Sequence, residues 1–149
     1  MVTKILVATD GSKTAVKCVK YSADLARQTG AEIILLSVVD KNSVIAQAIP
    51  AFSTPTRVTE SVEDYMRHAA EAYLSAGEKL CKKKGVRARS VVRSGHPVEE
   101  IVKEARRSKV DLIAIGSHGK SAFESAVLGS VTYGVIHNDT KIPVLVTRM

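Results

Sequence analysis

The sequence has little of what several classes of protein need. It contains no tryptophan, two phenylalanines, four tyrosines and two cysteines. Few side chains are therefore available to stack on nucleic-acid bases, and two cysteines cannot form a disulfide scaffold. No apolar run approaches the ~20 residues that a membrane-spanning helix requires. The apolar stretch near the N-terminus stops at Asp10, so we interpret it as a strand and not as a signal peptide, and we expect a cytoplasmic protein without a membrane partner.

Metal ligands are also scarce. Cys18 and Cys81 lie far apart in helical patterns, with no Cys-x-x-Cys motif, and none of the four histidines is spaced for a metal. We therefore expect two buried free thiols in a reducing compartment. We expect His96 to begin a helix, and His68 and His137 to face solvent on helices.

What the sequence does contain suits one domain, residues 1–149. Of the 149 residues 45% are hydrophobic and 25% are charged, which is enough apolar content for a core of ordinary size. The net charge of +7 favours anionic partners, but the basic residues are scattered along predicted helices, where a solvated surface explains most of them. Because aromatic residues are so few, we expect no nucleic-acid partner.

Five apolar runs alternate with amphipathic stretches. The predicted strands are Lys4–Thr9, Glu32–Val39, Val86–Val92, Val110–Ile115 and Ile142–Thr147. This alternation predicts a doubly wound α/β fold, an open and mostly parallel sheet with helices on both faces. Alternation in the third strand and Pro143 in the fifth place both at sheet edges.

The second and third predicted strands are joined by two different kinds of sequence. Residues 41–57 show no periodic pattern, and they are long for a loop in a compact domain. From Val58 to Gly85 the spacing predicts a long helix. Its apolar stripe consists of Val58, Val62, Tyr65, Ala69, Tyr73, Ala76 and Leu80.

Polar and glycine residues follow the strands where a ligand would bind such a sheet. Asp10 ends the first strand, and Gly116-Ser-His-Gly119-Lys-Ser follows the fourth. Ten residues after Gly119, Gly129 precedes a helix whose free N–H groups and dipole favour phosphate. Either glycine pair alone also fits an ordinary turn and a capped helix. Both pairs together with Asp10 predict a nucleotide site with two phosphate-binding turns.

The glycine spacing matches a known family. Gly116, Gly119, Gly129 and Ser130 fill the pattern Gly-x2-Gly-x9-Gly-Ser, which resembles the ATP-binding signature of the universal stress proteins. Residues 4–12, 35–40, 110–116 and 143–146 are similar to that family as well. The resemblance spans essentially the whole chain and is weakest over residues 41–57. Where many relatives have proline before the Thr-Asp pair, this chain has Ala8.

The resemblance implies a five-stranded parallel sheet in the order 3-2-1-4-5, ATP binding, and a homodimer formed through the last strand, residues 142–147. It also implies which residues contact the adenosine, the adenine edge, the ribose and the phosphates. With the turn residues described above, the predicted nucleotide-binding residues are Ala8, Thr9, Asp10, Val38, Ile115, Gly116, Ser117, His118, Gly119, Lys120, Gly129, Ser130, Val131 and Thr132. ADP or AMP remain alternatives to ATP. We expect Mg²⁺ or Mn²⁺ to be held mainly through the phosphates, because the turns offer no second carboxylate.

Other functions fit less well. Residues 114–121 match a relaxed P-loop pattern with Ala114 as the first residue, but Ala114 and Ile115 read as strand interior, which leaves too short a cradle. A serine hydrolase is weaker still, because we expect the adjacent Ser117 and His118 to point apart and form no nucleophile–base pair. We therefore expect a nucleotide-dependent switch or sensor in a stress response, with at most slow ATP hydrolysis and no catalytic residues. Two alternatives remain: a protein-interaction module with an unknown protein partner and incidental nucleotide binding, and a slow P-loop-like ATPase.

Overall fold

The computed structural model describes residues 1–40, 55–119, 128–138 and 140–148. Within these ranges, five strands and four helices alternate along the chain. They are β1 (Lys4–Ala8), α1 (Lys13–Thr29), β2 (Glu32–Val39), α2 (Pro55–Lys83), β3 (Ala88–Ser94), α3 (Pro97–Arg107), β4 (Leu112–Gly116), α4 (Ser130–Ile136) and β5 (Val144–Thr147). All strand pairs are parallel, and the order is β3-β2-β1-β4-β5. The predicted fold, the strand order and both edge positions are confirmed.

The sheet separates two hydrophobic clusters. Strand residues Ile5, Val7, Ile33 and Leu35 pack against α1 and α2, whereas Leu6, Ile34, Leu36 and Ile113 pack against α3 and α4. These side chains are essentially inaccessible to solvent, because helices cover both faces of the central strands. The near-continuous apolar runs of β1 and β2 follow from that double burial.

β3 and β4 each begin two residues later than their apolar runs predict. Val86 and Val110 are buried as expected, but their backbone N–H groups donate to the carbonyls of Cys81 and Ala105 at 2.9 and 3.1 Å. These donors complete the ends of the preceding helices and so are not available for the sheet. β5 likewise begins at Val144 and not at Ile142.

Residues that commonly cap helices form the helix termini, and His96 lies at a helix start as predicted. Ser12 caps α1, its Oγ accepting the Ala15 N–H at 3.2 Å, and Gly30 ends the helix in the left-handed region at φ 76°. His96 precedes α3, and Pro97 is its first residue. His68 and His137 are exposed, and Cys18 and Cys81 are buried and free, as predicted.

The apolar stripe predicted for α2 is only partly buried. The most deeply buried residues of the helix are Ala70, Leu74, Gly77 and Cys81, whereas Tyr65 is 73% exposed. The apolar stripe is wider than the area that contacts the sheet, and the spacing alone did not show which of its sides is buried. The helix also begins at Pro55, three residues before the predicted start; residues 41–54 and Lys120 lie outside the described residues.

Among the described residues, no helix is both long enough and apolar enough to cross a membrane.

Candidate functional site

The strand order creates a crevice between β1 and β4. These strands are neighbours in the sheet, yet α1, which follows β1, and α4, which follows β4, pack on opposite faces. The chain therefore leaves the two strand ends in opposite directions, which is where parallel α/β sheets bind ligands. Asp10 and residues 117–119 lie at this point.

Asp10 and Gly119 meet across the crevice. The Asp10 Oδ1 accepts the Ser12 N–H at 2.9 Å, which fixes the carboxylate at the start of α1. A methyl group added at Gly119 would lie 2.7 Å from Asp10 Oδ2. Glycine is therefore the residue that lets the second turn approach this carboxylate.

The two predicted phosphate-binding turns also touch each other. The Gly129 N–H donates to the Ser117 carbonyl at 2.7 Å, and a methyl group at Gly129 would lie 3.3 Å from that oxygen and 3.4 Å from His118 Cα. Gly129 is the N-cap of α4, so the N–H groups of the next three residues have no acceptor within the helix. The turn after β4 and the start of α4 thus form one continuous rim.

Apolar side chains line the sheet face beside this rim. Ala8, Val38 and Val131 are partly buried against the cluster that contains Ile115, and all four lie on the α3–α4 side. They come from β1, β2, α4 and β4. The structure therefore brings these predicted residues together as one wall, next to the polar crevice.

Two of the predicted threonines use their side chains elsewhere. Thr132 Oγ1 donates to the Gly116 carbonyl at 2.7 Å and is buried, so it ties α4 to β4. The Thr9 side chain faces the opposite side of the sheet, where it accepts the Gly11 N–H at 3.3 Å. The backbone N–H of Thr9 is also used within the protein, because it donates to the Leu36 carbonyl at 2.9 Å. Ser130, by contrast, is exposed at the start of α4.

The predicted separation of Ser117 and His118 was wrong. Ser117 Oγ and His118 Nδ1 lie 3.0 Å apart, because the chain turns sharply as it leaves β4 and does not continue the alternation of a strand. Ser117 is nevertheless only 2% exposed, and its backbone N–H donates to the Thr147 carbonyl at 2.8 Å. The Ser117 hydroxyl is therefore kept from a substrate because it is buried, and not because it points away from His118.

Three residues beside the site were not identified as site residues from the sequence: Gly11, Thr14 and Tyr73. A methyl group at Gly116 would lie 2.8 Å from Thr14 Cγ2, so Gly116 lets α1 pack closely on β4. Gly11, at φ 78°, lies under the ring of Tyr73, where a methyl group would come within 2.5 Å of ring carbons. The glycine after Asp10 was the available signal for this contact, but its partner is 62 residues away in the sequence.

In the described ranges, no three His, Cys, Asp or Glu side chains gather as a metal-binding group. Among these described residues, Asp10 contributes a carboxylate to the crevice.

Comparison with known proteins identifies the family. The model of the universal stress protein family matches residues 1–148. The chain belongs to the universal stress protein family. Its relative MJ0577 of Methanocaldococcus jannaschii is 34% identical over 158 aligned positions, covering 99% of this chain and 96% of that protein.

Solved universal stress proteins share the fold along the whole chain. The structure of MJ0577 superposes with a TM-score of 0.83 at 32% identity, covering 100% of this chain and 97% of that one. A family member from Archaeoglobus fulgidus in complex with dAMP superposes at 0.69 with 20% identity, covering 99% of each chain. Another, in complex with cAMP, superposes at 0.68 with 22% identity and covers 99% of this chain and 97% of that one.

Proposed function

We propose that this universal stress protein binds ATP in the crevice between β1 and β4 and acts as a nucleotide-dependent switch or sensor. The observation that carries the proposal is the contact between Asp10 and Gly119, with Gly129 packed against the same turn. This contact joins one carboxylate, one glycine-rich turn and one helix start at a single point. Such a combination suits a ligand that has hydroxyl groups at one end and phosphates at the other.

Different surfaces of the crevice contact the base and the ribose of the nucleotide. The base lies on the wall of Ala8, Val38, Ile115 and Val131, which offers apolar contact on one side of the sheet. Asp10 accepts hydrogen bonds from ribose hydroxyls, because a carboxylate placed directly against phosphate would repel it.

The phosphates lie along the rim of the two turns. The backbone N–H groups of His118 and Gly119 in the first turn, and of residues 130–132 at the start of α4, are the donors. Ser117 is not one of them, because its N–H is already bonded to Thr147. Lys120 would add a positive charge to the first turn. Magnesium or manganese would accompany the phosphates and neutralise their charge.

The relatives support an adenine nucleotide, since dAMP and cAMP are the ligands named for two proteins of this fold. The choice of ATP over a monophosphate rests on the two turns, which together offer donors for more than one phosphate. We propose no efficient catalysis. Among the described residues at the rim, His118 is the candidate base, but its Nδ1 lies 3.0 Å from the Ser117 hydroxyl, which is buried and cannot reach a substrate. Ala114 and Ile115 lie inside β4, which argues against a P-loop cradle.

We also propose that the protein forms a homodimer through β5. Among the described strands β5 pairs only with β4, so its outer edge has backbone groups that a second copy can pair with. Sedimentation of the purified protein tests this, with a dimer expected. A strict monomer at high concentration would contradict it.

Calorimetric titration with ATP, ADP and AMP, each with and without magnesium, tests the ligand. We expect affinity to rise with the number of phosphates, because each turn contributes N–H donors. Equal affinity for ATP and AMP would show that the second turn does not bind phosphate. Binding of none of the three would leave the protein-interaction module as the better account.

A further inference from the structure

A cavity on the face of the sheet opposite the apolar wall is not used by the proposed nucleotide site. It lies between α1 and α2 and has a volume of about 200 Å³. Its lining includes Val16 and Val19 of α1, Tyr73, Ala76 and Leu80 of α2, and Thr9 at the end of β1. We call this cavity and the surface between the two helices the α1–α2 groove.

The groove is formed by the part of the α2 stripe that the sheet does not cover. Leu74 and Cys81 are buried on the sheet side, whereas Ala72 and Ala76, which line the groove, are exposed. Tyr65 lies on the same side of the helix, seven residues before Ala72, and is 73% exposed. On α1, Val16 is 42% exposed. An apolar strip therefore faces solvent between the two helices, formed by Val16 on α1 and by Tyr65, Ala72 and Ala76 on α2.

Positive charges border this strip along α1 and continue it towards the C-terminal end of α2. On α1, Lys13, Lys20 and Arg27 are spaced to share the side of Val16, and all three are exposed. On α2, Lys79 and Lys83 follow Ala72 and Ala76 by seven residues and are exposed as well. These five residues are the basic rim of the groove.

Acidic residues do not cancel the basic rim. Asp24 lies on this side of α1, and its Oδ1 forms an ion pair with Lys84. From residue 65 to residue 83, the positions of α2 that face the groove carry no acidic residue. The local charge is therefore strongly positive, in keeping with the net charge of the chain.

We propose that the α1–α2 groove docks an amphipathic helix of another protein, with an apolar ridge flanked by acidic residues. A concave strip between two helices matches the ridge of a third helix, and acidic flanks complement the basic rim. A second copy of this chain is disfavoured, because its own groove would bring lysines against lysines. A flat membrane surface would not fill the cavity. This docking goes beyond nucleotide binding and does not depend on it.

The probe is a labelled, covalently stapled helical peptide of about 18 residues, with leucines at positions i, i+3, i+4 and i+7 and glutamates on both flanks. Its control is the same peptide with lysine in place of every glutamate. Fluorescence anisotropy with nucleotide-free protein measures both. We expect the acidic peptide to bind at least about tenfold more tightly than the basic one.

Two matched variants locate the binding surface. Ala76→Glu places a charge in the groove, and Ser75→Glu places the same charge on the neighbouring exposed position, which turns away from it. We expect Ala76→Glu to weaken binding of the acidic peptide at least about tenfold and Ser75→Glu to change it less than about twofold. Both positions are exposed, and circular dichroism checks that both variants fold. Val16→Ser, which adds no charge, should weaken binding in the same direction.

Several results would overturn the proposal. They are the absence of binding by the acidic peptide, equal binding of both peptides, and equal effects of Ala76→Glu and Ser75→Glu. Self-association that Ala76→Glu abolishes would assign the groove to a second copy. Binding to anionic lipid vesicles but not to the peptide would assign it to a membrane surface.

Discussion

At the scale of single residues, the proposed nucleotide site depends on Gly119 lying against Asp10. We predict that Gly119→Val lowers the affinity for ATP more than about hundredfold, because its side chain fills the space of the phosphates and displaces the Asp10 carboxylate. Gly119 is exposed, so thermal unfolding should change little. Calorimetry measures the affinity. Gly30→Ala is the control, since it strains a left-handed glycine far from the crevice and should leave binding intact.

The charge of Asp10 can be separated from its structural hydrogen bond. In Asp10→Asn the side-chain oxygen can still accept the Ser12 N–H, so α1 should begin as before. We predict a loss of ATP affinity of about tenfold, because the ribose hydroxyls lose a charged acceptor. Unchanged affinity, with folding intact, would show that Asp10 only shapes the turn.

At the scale of secondary-structure elements, one buried charge joins β3 to α3. Glu104 is 2% exposed, and Arg93 donates to its Oε1 through Nε at 3.3 Å and Nη2 at 2.9 Å. We predict that Arg93→Met lowers the free energy of unfolding by about 1.5 kcal/mol, less than for a fully buried pair, because Arg93 is 39% exposed and Arg107 still faces Glu104 at 3.5 Å. Urea denaturation measures the loss. Arg89→Met, which removes one hydrogen bond to Ser108, should have a smaller effect.

A second contact between elements gives the fold a dependence on pH. Asp111, just before β4, accepts hydrogen bonds from the Thr3 N–H, the Thr3 hydroxyl and the Lys4 N–H, and these hold its pKa below the ordinary value. A carboxyl whose pKa is lower in the folded chain stabilises the fold above its unfolded pKa, and this contribution is lost as the pH falls through the folded pKa.

We therefore predict that Asp111→Asn destabilises the protein at pH 7 and that the difference from wild type shrinks below about pH 4. Urea denaturation of the wild type and of Asp111→Asn, at pH 7 and below about pH 4, measures the difference in the free energy of unfolding. A difference that stays constant with pH would contradict the assignment.

The bounds of some helices and strands could be predicted from the sequence, and those of others could not. β2 has the predicted bounds, because its apolar run is buried on both faces and is bounded by Gly30 and Asp40. The bounds of β3 and β4 could not be predicted, since Val86 and Val110 are as apolar as strand residues but bond to the preceding helices. The buried side of α2 could not be predicted either, because its stripe serves both the sheet and the α1–α2 groove.

At the scale of the whole molecule, the alternation of elements predicts the class of fold, and the family resemblance supplies the strand order that the structure confirms. The glycine spacing predicts that two turns follow β4, and Asp10 ends the neighbouring strand. The contacts between them depend on tertiary packing and were not predictable. The position of Gly119 against Asp10 and the use of Thr132 Oγ1 within the protein are two examples.

The whole molecule also presents two separate surfaces. The crevice holds backbone donors and one carboxylate at the strand ends, whereas the α1–α2 groove is apolar with a basic rim. They meet at the turn of Thr9 and Gly11, where Tyr73 covers Gly11. The proposed switch would couple the two surfaces through this shared turn.

Nucleotide binding is the central claim, and the released ligand tests it most directly. The protein is purified without added nucleotide and denatured, and any small molecule set free is identified by chromatography and mass. We predict ATP or ADP in near-stoichiometric amount, or, if the ligand is lost on purification, binding of added ATP with magnesium in calorimetry. A protein that releases no nucleotide and also fails to bind millimolar ATP with magnesium would contradict the account.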